Sequence, residues 1–186
     1  FKQDIKNLEK NIEIKKKTAQ PFLTLSLFDS PQIQKNASII WCEDKFFKSK
    51  KIYFENKKIN KKVRIGYYSA DFGEHAMSYL LANLFELHDK SKFEIIAFSF
   101  ENHLESKIGK RVSNAFNKFF DVSLKSDEEI VELSKNLNIE IAVDLMGFTK
   151  KNRFSIFHKR CSPIQVNYLG YPGTLGNANI DYIIAD

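Results

Sequence analysis

The chain is short of the residues that punctuate or staple a fold. Among 186 residues there are 2 Cys, 4 Pro, 7 Gly and 1 Trp. Cys42 and Cys161 lie far apart, show no CxxC spacing and have no histidine cluster beside them, which excludes a disulfide framework and a structural zinc site as organising devices. The plain expectation is two free thiols in a reducing cytoplasm. No apolar run approaches the ~18 residues of a membrane span, so no membrane span is expected. Phe1-Lys2-Gln3-Asp4 lack an initiator Met and no apolar signal-peptide core follows them; the sequence reads as a piece of a longer chain. The GxGxxG fingerprint of a dinucleotide fold is missing as well.

Basic charge is also scarce where a nucleic-acid domain would need it. The net charge is +6, but residues 1–62 hold 15 Lys against 7 acidic residues, or +8, and residues 63–186 hold 14 basic against 16 acidic, or −2. The Lys-rich stretches, such as Lys15-Lys16-Lys17 and Lys57-Lys58, carry few interleaved aromatics and read as solvated helix faces and a linker. No nucleic-acid partner is expected. What the chain has in quantity is apolar matter: 43% of residues are hydrophobic and 28% charged, a composition that suits a globular domain.

Residues 3–17 predict a polar helix with a thin stripe at Ile5, Leu8, Ile12 and Ile14, interrupted before Pro21. Ser30-Pro31 reads as N-cap and first helical position of a second helix running toward Lys51. Residues 55–62 are polar and aperiodic, a linker. From Val63 strand and helix signals alternate: strands at 63–69, 93–100, 118–122, 139–145, 164–169 and 182–185, and helices at 78–88, 105–116, 126–137 and 153–159. Leu80, Leu81, Leu84, Phe85 and His88 are expected on one packed face. Ser126 with Glu129 three residues on forms a capping box. The succession predicts an α/β fold, a parallel sheet with helices on both faces, preceded by a helical segment. Such sheets bind ligands beyond the carboxyl ends of their strands, which directs attention to the loops at 70–76, 100–104, 145–151 and 169–176.

In the first loop Asp71, Gly73 and His75 stand together. Gly73 permits a tight turn or positive φ, and a neutral His75 at a helix N-terminus is able to accept or relay a proton; the alternative is that Asp71 caps the helix and His75 is merely exposed. In the last loop Leu169-Gly170-Tyr171-Pro172-Gly173-Thr174 packs glycines around Pro172-Gly173, which favours a type II turn. Gly170 lets another molecule approach the backbone, and the loop's N–H groups suit hydroxyl or phosphate oxygens; a rigid connection is the competing reading. Asp144, near the end of its strand, either binds substrate or caps the helix at 152–159. His88 is expected to be packed, and His103 and His158 to be surface residues.

Taken in order, Val63–His75, Val143–Thr149 and Arg160–Thr174, with Ile180-Asp181-Tyr182 behind them, resemble the bacterial members of the protein O-GlcNAc transferase family, whose chains join tetratricopeptide repeats to a catalytic region. The resemblance covers residues 63–186. It implies the N-terminal Rossmann-like lobe of a GT-B glycosyltransferase, with residues 1–54 as the joint to a repeat region and 55–62 as linker. The UDP-sugar donor would be held mainly by a C-terminal lobe beyond Asp186, and a protein or peptide would be the acceptor. His75 matches an active-site histidine proposed as a base, and Leu169 and Gly170 match positions lining the sugar. Asp71, Gly73, Asp144, Tyr171, Pro172, Gly173 and Thr174 fall in the same substrate-facing loops. The family uses no metal and no cofactor beyond its donor, and no DxD stands in the ligand loops.

The chain departs from the animal members at two positions, carrying Glu140 and Tyr79 where they have histidines. Glucose or fucose in place of N-acetylglucosamine remains open, as does a catalytically silent protein-binding module of the same fold. The fragment alone is expected to be inactive.

Overall fold

A computed structural model of the chain describes residues 1–16, 19–46, 54, 61–102, 105–176 and 179–185. The linker expected at 55–62 falls mostly outside the described residues, as do His103 and the extension of the second helix past residue 46. Among the described residues, no helix is long and apolar enough to cross a membrane.

Three helices come first: α1 (Lys2–Glu13), α2 (Pro21–Leu27) and α3 (Pro31–Lys45). Pro21 starts a helix rather than merely ending one. It occupies the first turn of α2, where its missing N–H costs nothing, and Thr24 Oγ1 donates to its carbonyl at 2.7 Å. Ser30 caps α3 as expected, accepting the N–H of Ile33. α1 is shorter than its stripe suggested. Ile12 is buried with Phe28, Ala37 and Ile40, while Ile14 lies beyond the helix end and is exposed.

The remaining elements are β1 (Val63–Ser69), α4 (Ala76–Leu87), β2 (Phe93–Ser99), α5 (Lys107–Ala115), β3 (Lys118–Asp121), α6 (Asp127–Asn136), β4 (Ile141–Asp144), α7 (Ser155–His158), β5 (Ile164–Tyr168) and β6 (Tyr182–Ile184). The six strands form one sheet in the order β3-β2-β1-β4-β5-β6, with every pairing parallel. This is the doubly wound, Rossmann-like arrangement. The chain winds outward from β1 through β2 and β3, then returns to the other side of β1 to lay down β4, β5 and β6. The order therefore reverses between β1 and β4, which makes that junction the topological switch point.

Each face of the sheet carries its own core. One is built by α4 and α5: Met77, Leu81, Phe85, Ile108 and Val112 meet Ile65, Tyr67 and Ile95. Phe85 is fully buried among Tyr67, Phe72 and Phe116, and truncating it to Ala costs about 3–5 kcal/mol. The other face holds α6 and α7 together with the earlier helices. There Ile130, Ile156, Phe157 and Cys42 pack on Tyr68 and Phe98, whose rings stack at 4.3 Å.

One helix face differs from expectation. α4 turns Met77, Ser78, Leu81, Ala82 and Phe85 inward, leaving Leu80 66% and Leu87 81% exposed. His88 is half-buried at the end of α4, within 2.7 Å of the Tyr67 hydroxyl, and burial holds its ring below the usual histidine range. His158 is not a plain surface residue: it stacks on Phe46 at 5.1 Å. Ser126 and Glu129 form the expected capping box. Both cysteines are free thiols and buried.

Candidate active site

β1, β4 and β5 are neighbours, so their carboxyl-end loops lie side by side. The loops after β1 and β4 flank the switch point, and side chains stitch them together. Ser69 Oγ and the Ala70 N–H both point at Met146 Sδ, at 3.3 and 3.4 Å, and Ser69 Oγ also accepts the N–H of Asp71 at 2.9 Å. Met146 and Ser69 were not singled out in the sequence. A Ser at a strand end and a Met in an apolar run carry no signal until the strand order is known.

His75 is itself the N-cap of α4, in extended backbone, and its Nδ1 accepts the Met77 N–H at 3.3 Å. With that lone pair engaged, the neutral ring carries its hydrogen on Nε2. In that tautomer the second ring nitrogen is a donor. An Asp71 carboxylate oxygen stands 3.6 Å from Nδ1, too long for a hydrogen bond. Asp71 does not cap the helix with its side chain; its carbonyl accepts from Ser78 Oγ at 2.6 Å. Gly73 serves a tight turn, with the His75 N–H on its carbonyl at 2.8 Å, and its φ is not positive. Tyr79, one turn into α4, donates its hydroxyl to Glu74 at 2.7 Å.

Asp144 ends β4 only 2% exposed. Its carboxylate accepts the N–H groups of Met146 and Gly147 at 2.9 and 3.1 Å and an N–H of Asn167 at 3.2 Å. It neither caps α7, whose N-cap is Phe154, nor offers a free oxygen edge; it folds the loop back on itself. Burial pushes its carboxyl up to about 6, against the lowering effect of those three partners. Because Asn167 Nδ2 faces Asp144, its Oδ1 turns away from β4, and this buried oxygen has no partner.

The loop after β5 presses down on the loop after β4. A Cβ on Gly170 would overlap the Leu145 carbonyl, and one on Gly147, at φ +55°, would overlap Tyr171. The close approach foreseen for Gly170 is thus made by the protein's own backbone. The Gly170 N–H bonds the Tyr168 carbonyl at 2.7 Å across Leu169, which sits at φ +61°. That is a γ-turn of positive φ, a strained conformation for a branched residue and worth of order 1–3 kcal/mol. The strain holds an exposed Leu169 side chain at the mouth of the sheet. Gly173 does not take positive φ, so Pro172-Gly173 is not a type II turn; a Cβ there would meet Leu25 at 2.7 Å. Tyr171 is buried against Phe148. The Thr174 hydroxyl accepts the Gly176 N–H at 3.2 Å.

The far end of this connection is clamped. Arg160 donates to the Asn179 and Pro163 carbonyls and pairs with Asp181 at 2.6 Å, and Gln165 donates to the carbonyls of Phe157 and Asn179. A cavity of about 520 Å³ opens between the loop, α3 and the last two strands, lined by Lys35, Asn167, Thr174, Asp181 and Tyr182. Neither His75 nor Asp71 lines it. Among the described residues, no three His, Cys, Asp or Glu side chains cluster as metal ligands would.

The sequence signature of glycosyl transferase family 41 matches residues 34–186. A probable UDP-N-acetylglucosamine–peptide N-acetylglucosaminyltransferase of Arabidopsis thaliana, SEC, is 36% identical over 126 residues, covering 68% of this chain and 13% of its own length. The Caenorhabditis elegans UDP-N-acetylglucosamine–peptide N-acetylglucosaminyltransferase is 35% identical over 126 residues, covering 67% of this chain and 11% of its own. The chain thus spans only a small part of the curated relatives it matches. A mutant of the Thermobaculum terrenum O-GlcNAc transferase shares the fold with a TM-score of 0.76 at 24% identity, over 84% of this chain and 30% of that one.

Proposed function

The chain belongs to glycosyl transferase family 41, and from that membership we propose that it is the N-terminal, acceptor-side lobe of a GT-B enzyme. The parent transfers N-acetylglucosamine from UDP-N-acetylglucosamine to Ser or Thr hydroxyls of protein acceptors in the cytoplasm. Residues 63–186 are the lobe, and the helices before residue 54 join it to a tetratricopeptide-repeat region. The observation that carries the reading is the meeting of the loops after β1 and β4 at the switch point, with the loop after β5 locked over them, all inside the matched region.

Transfer requires the acceptor hydroxyl to lie in line with the anomeric carbon and to lose its proton, and the departing UDP to be stabilised. In this lobe His75 presents Nε2–H to a substrate oxygen, with Asp71 beside it, and Leu169 forms an apolar wall for the sugar. Gly170, Tyr171, Pro172, Gly173 and Thr174 shape that wall. Asp144 and Gly73 hold the loops rather than the ligand. Stabilising the leaving diphosphate falls to the opposite lobe.

The test is sugar transfer by the full-length parent from labelled UDP-N-acetylglucosamine to a Ser/Thr-rich peptide, with UDP-glucose and GDP-fucose in parallel. The parent transfers N-acetylglucosamine, His75→Ala lowers the rate about 100-fold or more, as loss of one positioned hydrogen-bond donor does, and residues 1–186 alone give none. Full activity of His75→Ala at an unchanged unfolding temperature refutes the site; transfer from another donor alone replaces the sugar.

A further inference from the structure

We propose that α2 and α3 are working parts of the site, and that Ser38 is a positioning residue holding the 169–176 loop in place. The proposal rests on reading that loop as the sugar-side wall. A bulky residue in a γ-turn of positive φ keeps that conformation only where its surroundings over-determine it. From beneath, Gly170 is seated on Leu145. Among the described residues, the outer side of the loop is held by α2 and α3.

Three contacts make the restraint. Ser38, 1% exposed on α3, donates its hydroxyl to the Thr174 carbonyl at 2.8 Å, with the Gln34 carbonyl at 3.0 Å as the alternative acceptor within its own helix. One turn on, Cys42 Sγ points at the Leu175 carbonyl at 3.6 Å. Gly176, at φ +57°, lies so close to α3 that a Cβ would meet Ser38 Cβ at 2.8 Å and the Ile39 nitrogen at 2.9 Å. α2 adds Leu25 beneath Gly173 and Phe22 beside the Tyr171 ring. Two consecutive loop carbonyls are thus answered from one helix, and two glycines are required by the closeness of the same pair of helices. An incidental contact would not need both. Movement of α2–α3 is therefore felt at Leu169 through this short chain of contacts.

Ser38→Ala tests this in the full-length parent, because it removes one hydroxyl and favours the helix. Ser134→Ala is the matched control: its hydroxyl is equally buried and bonds the Cys161 carbonyl and Tyr68, away from the loop. Hydrogen exchange of the amides at 170–176 is expected to quicken about fivefold in Ser38→Ala, the scale of one lost buried hydrogen bond, with β1 and β2 unchanged. In Ser134→Ala the loop keeps its wild-type exchange. Unchanged loop exchange in Ser38→Ala, or an equal rise in both variants, overturns the proposal. In the transfer assay, Ser38→Ala is expected to raise KM for UDP-N-acetylglucosamine about threefold with kcat within about twofold, since mispositioning weakens binding whereas partial unfolding lowers kcat alone. Faster loop exchange with an unaltered KM upholds the brace and refutes the sugar-side reading of the loop.

Discussion

The backbone of Gly170 lies on the carbonyl of Leu145 with no room for even one additional carbon. Two loops that the chain makes 25 residues apart are thereby locked into one surface, and the lock is backbone against backbone, so neither partner can step aside as a side chain would. Gly170→Ala is expected to lower stability by about 1–3 kcal/mol, the cost of overpacking, and to abolish transfer by the parent. Thermal unfolding and the transfer assay check this together; an unchanged melting temperature would mean that the loop does not sit there.

Leu169 makes the converse case. Its positive φ is unfavourable for leucine and indifferent for glycine, so Leu169→Gly relieves strain, and its half-exposed side chain leaves little burial to lose. The variant is expected to be as stable as the parent or up to about 1 kcal/mol more stable, yet poorer in KM for the sugar nucleotide. A clear loss of stability would show that the turn is not strained.

The cap on His75 separates two roles for its ring. A base needs a free lone pair, and Nδ1 spends its own on the Met77 N–H. Asn is a strong N-cap and keeps an N–H donor, but it has no basic nitrogen. His75→Asn is therefore expected to retain activity within about 10-fold of wild type, while His75→Ala loses about 100-fold or more. Equal loss in both variants would return the ring to the role of base.

Much of this arrangement could be read from residues, and the failures have physical reasons. The strands were legible because short β-rich runs alternate with longer helical ones, and the capping box at Ser126 because its two residues satisfy each other locally. The inner face of α4 was not, because leucines at 80, 81, 84 and 87 cover two adjacent faces and only the sheet decides between them. Gly170 and Gly173 were legible as positions needing glycine, but what crowds them, Leu145 and Leu25, comes from distant chain. Pro172-Gly173 misled because the dipeptide suits a type II turn, whereas here the glycine answers a lack of space. Strand order has no local signature, so the switch point between Asp71–His75 and Asp144–Gly147 appears only in the folded sheet.

Glu140, which the sequence resemblance sets against a histidine, lies immediately before β4. There its carboxylate accepts the Arg64 N–H at 3.0 Å, at the opposite end of the sheet from the three loops. Glu140→Gln keeps an acceptor for Arg64 and is expected to leave transfer by the parent within about twofold of wild type, with stability lowered by about 1 kcal/mol or less. A large loss of kcat would place the site elsewhere on the lobe.

Asp144 couples the loop to pH. Its carboxyl is raised from the ordinary 3.8 to about 6 by burial, so between those values the folded state holds a proton that the unfolded state has released. Its contribution to stability is therefore complete below about pH 4 and is lost as the pH rises through 6. Carboxylates such as Glu94, held low by Arg64 and Lys118 against the opposing pull of burial, act with the opposite sign, which is why the whole protein's pH profile does not isolate Asp144. The difference between wild type and Asp144→Asn does. The variant keeps an oxygen for the Met146 and Gly147 N–H groups, and its own N–H finds an acceptor once the Asn167 amide flips to present the Oδ1 that lacks a partner. Wild type is expected to gain about 1–2 kcal/mol on the variant between pH 7.5 and pH 5, read from denaturant unfolding at each pH. A gap that stays constant across that range would mean that Asp144 remains charged in the fold, with its three hydrogen bonds outweighing its burial.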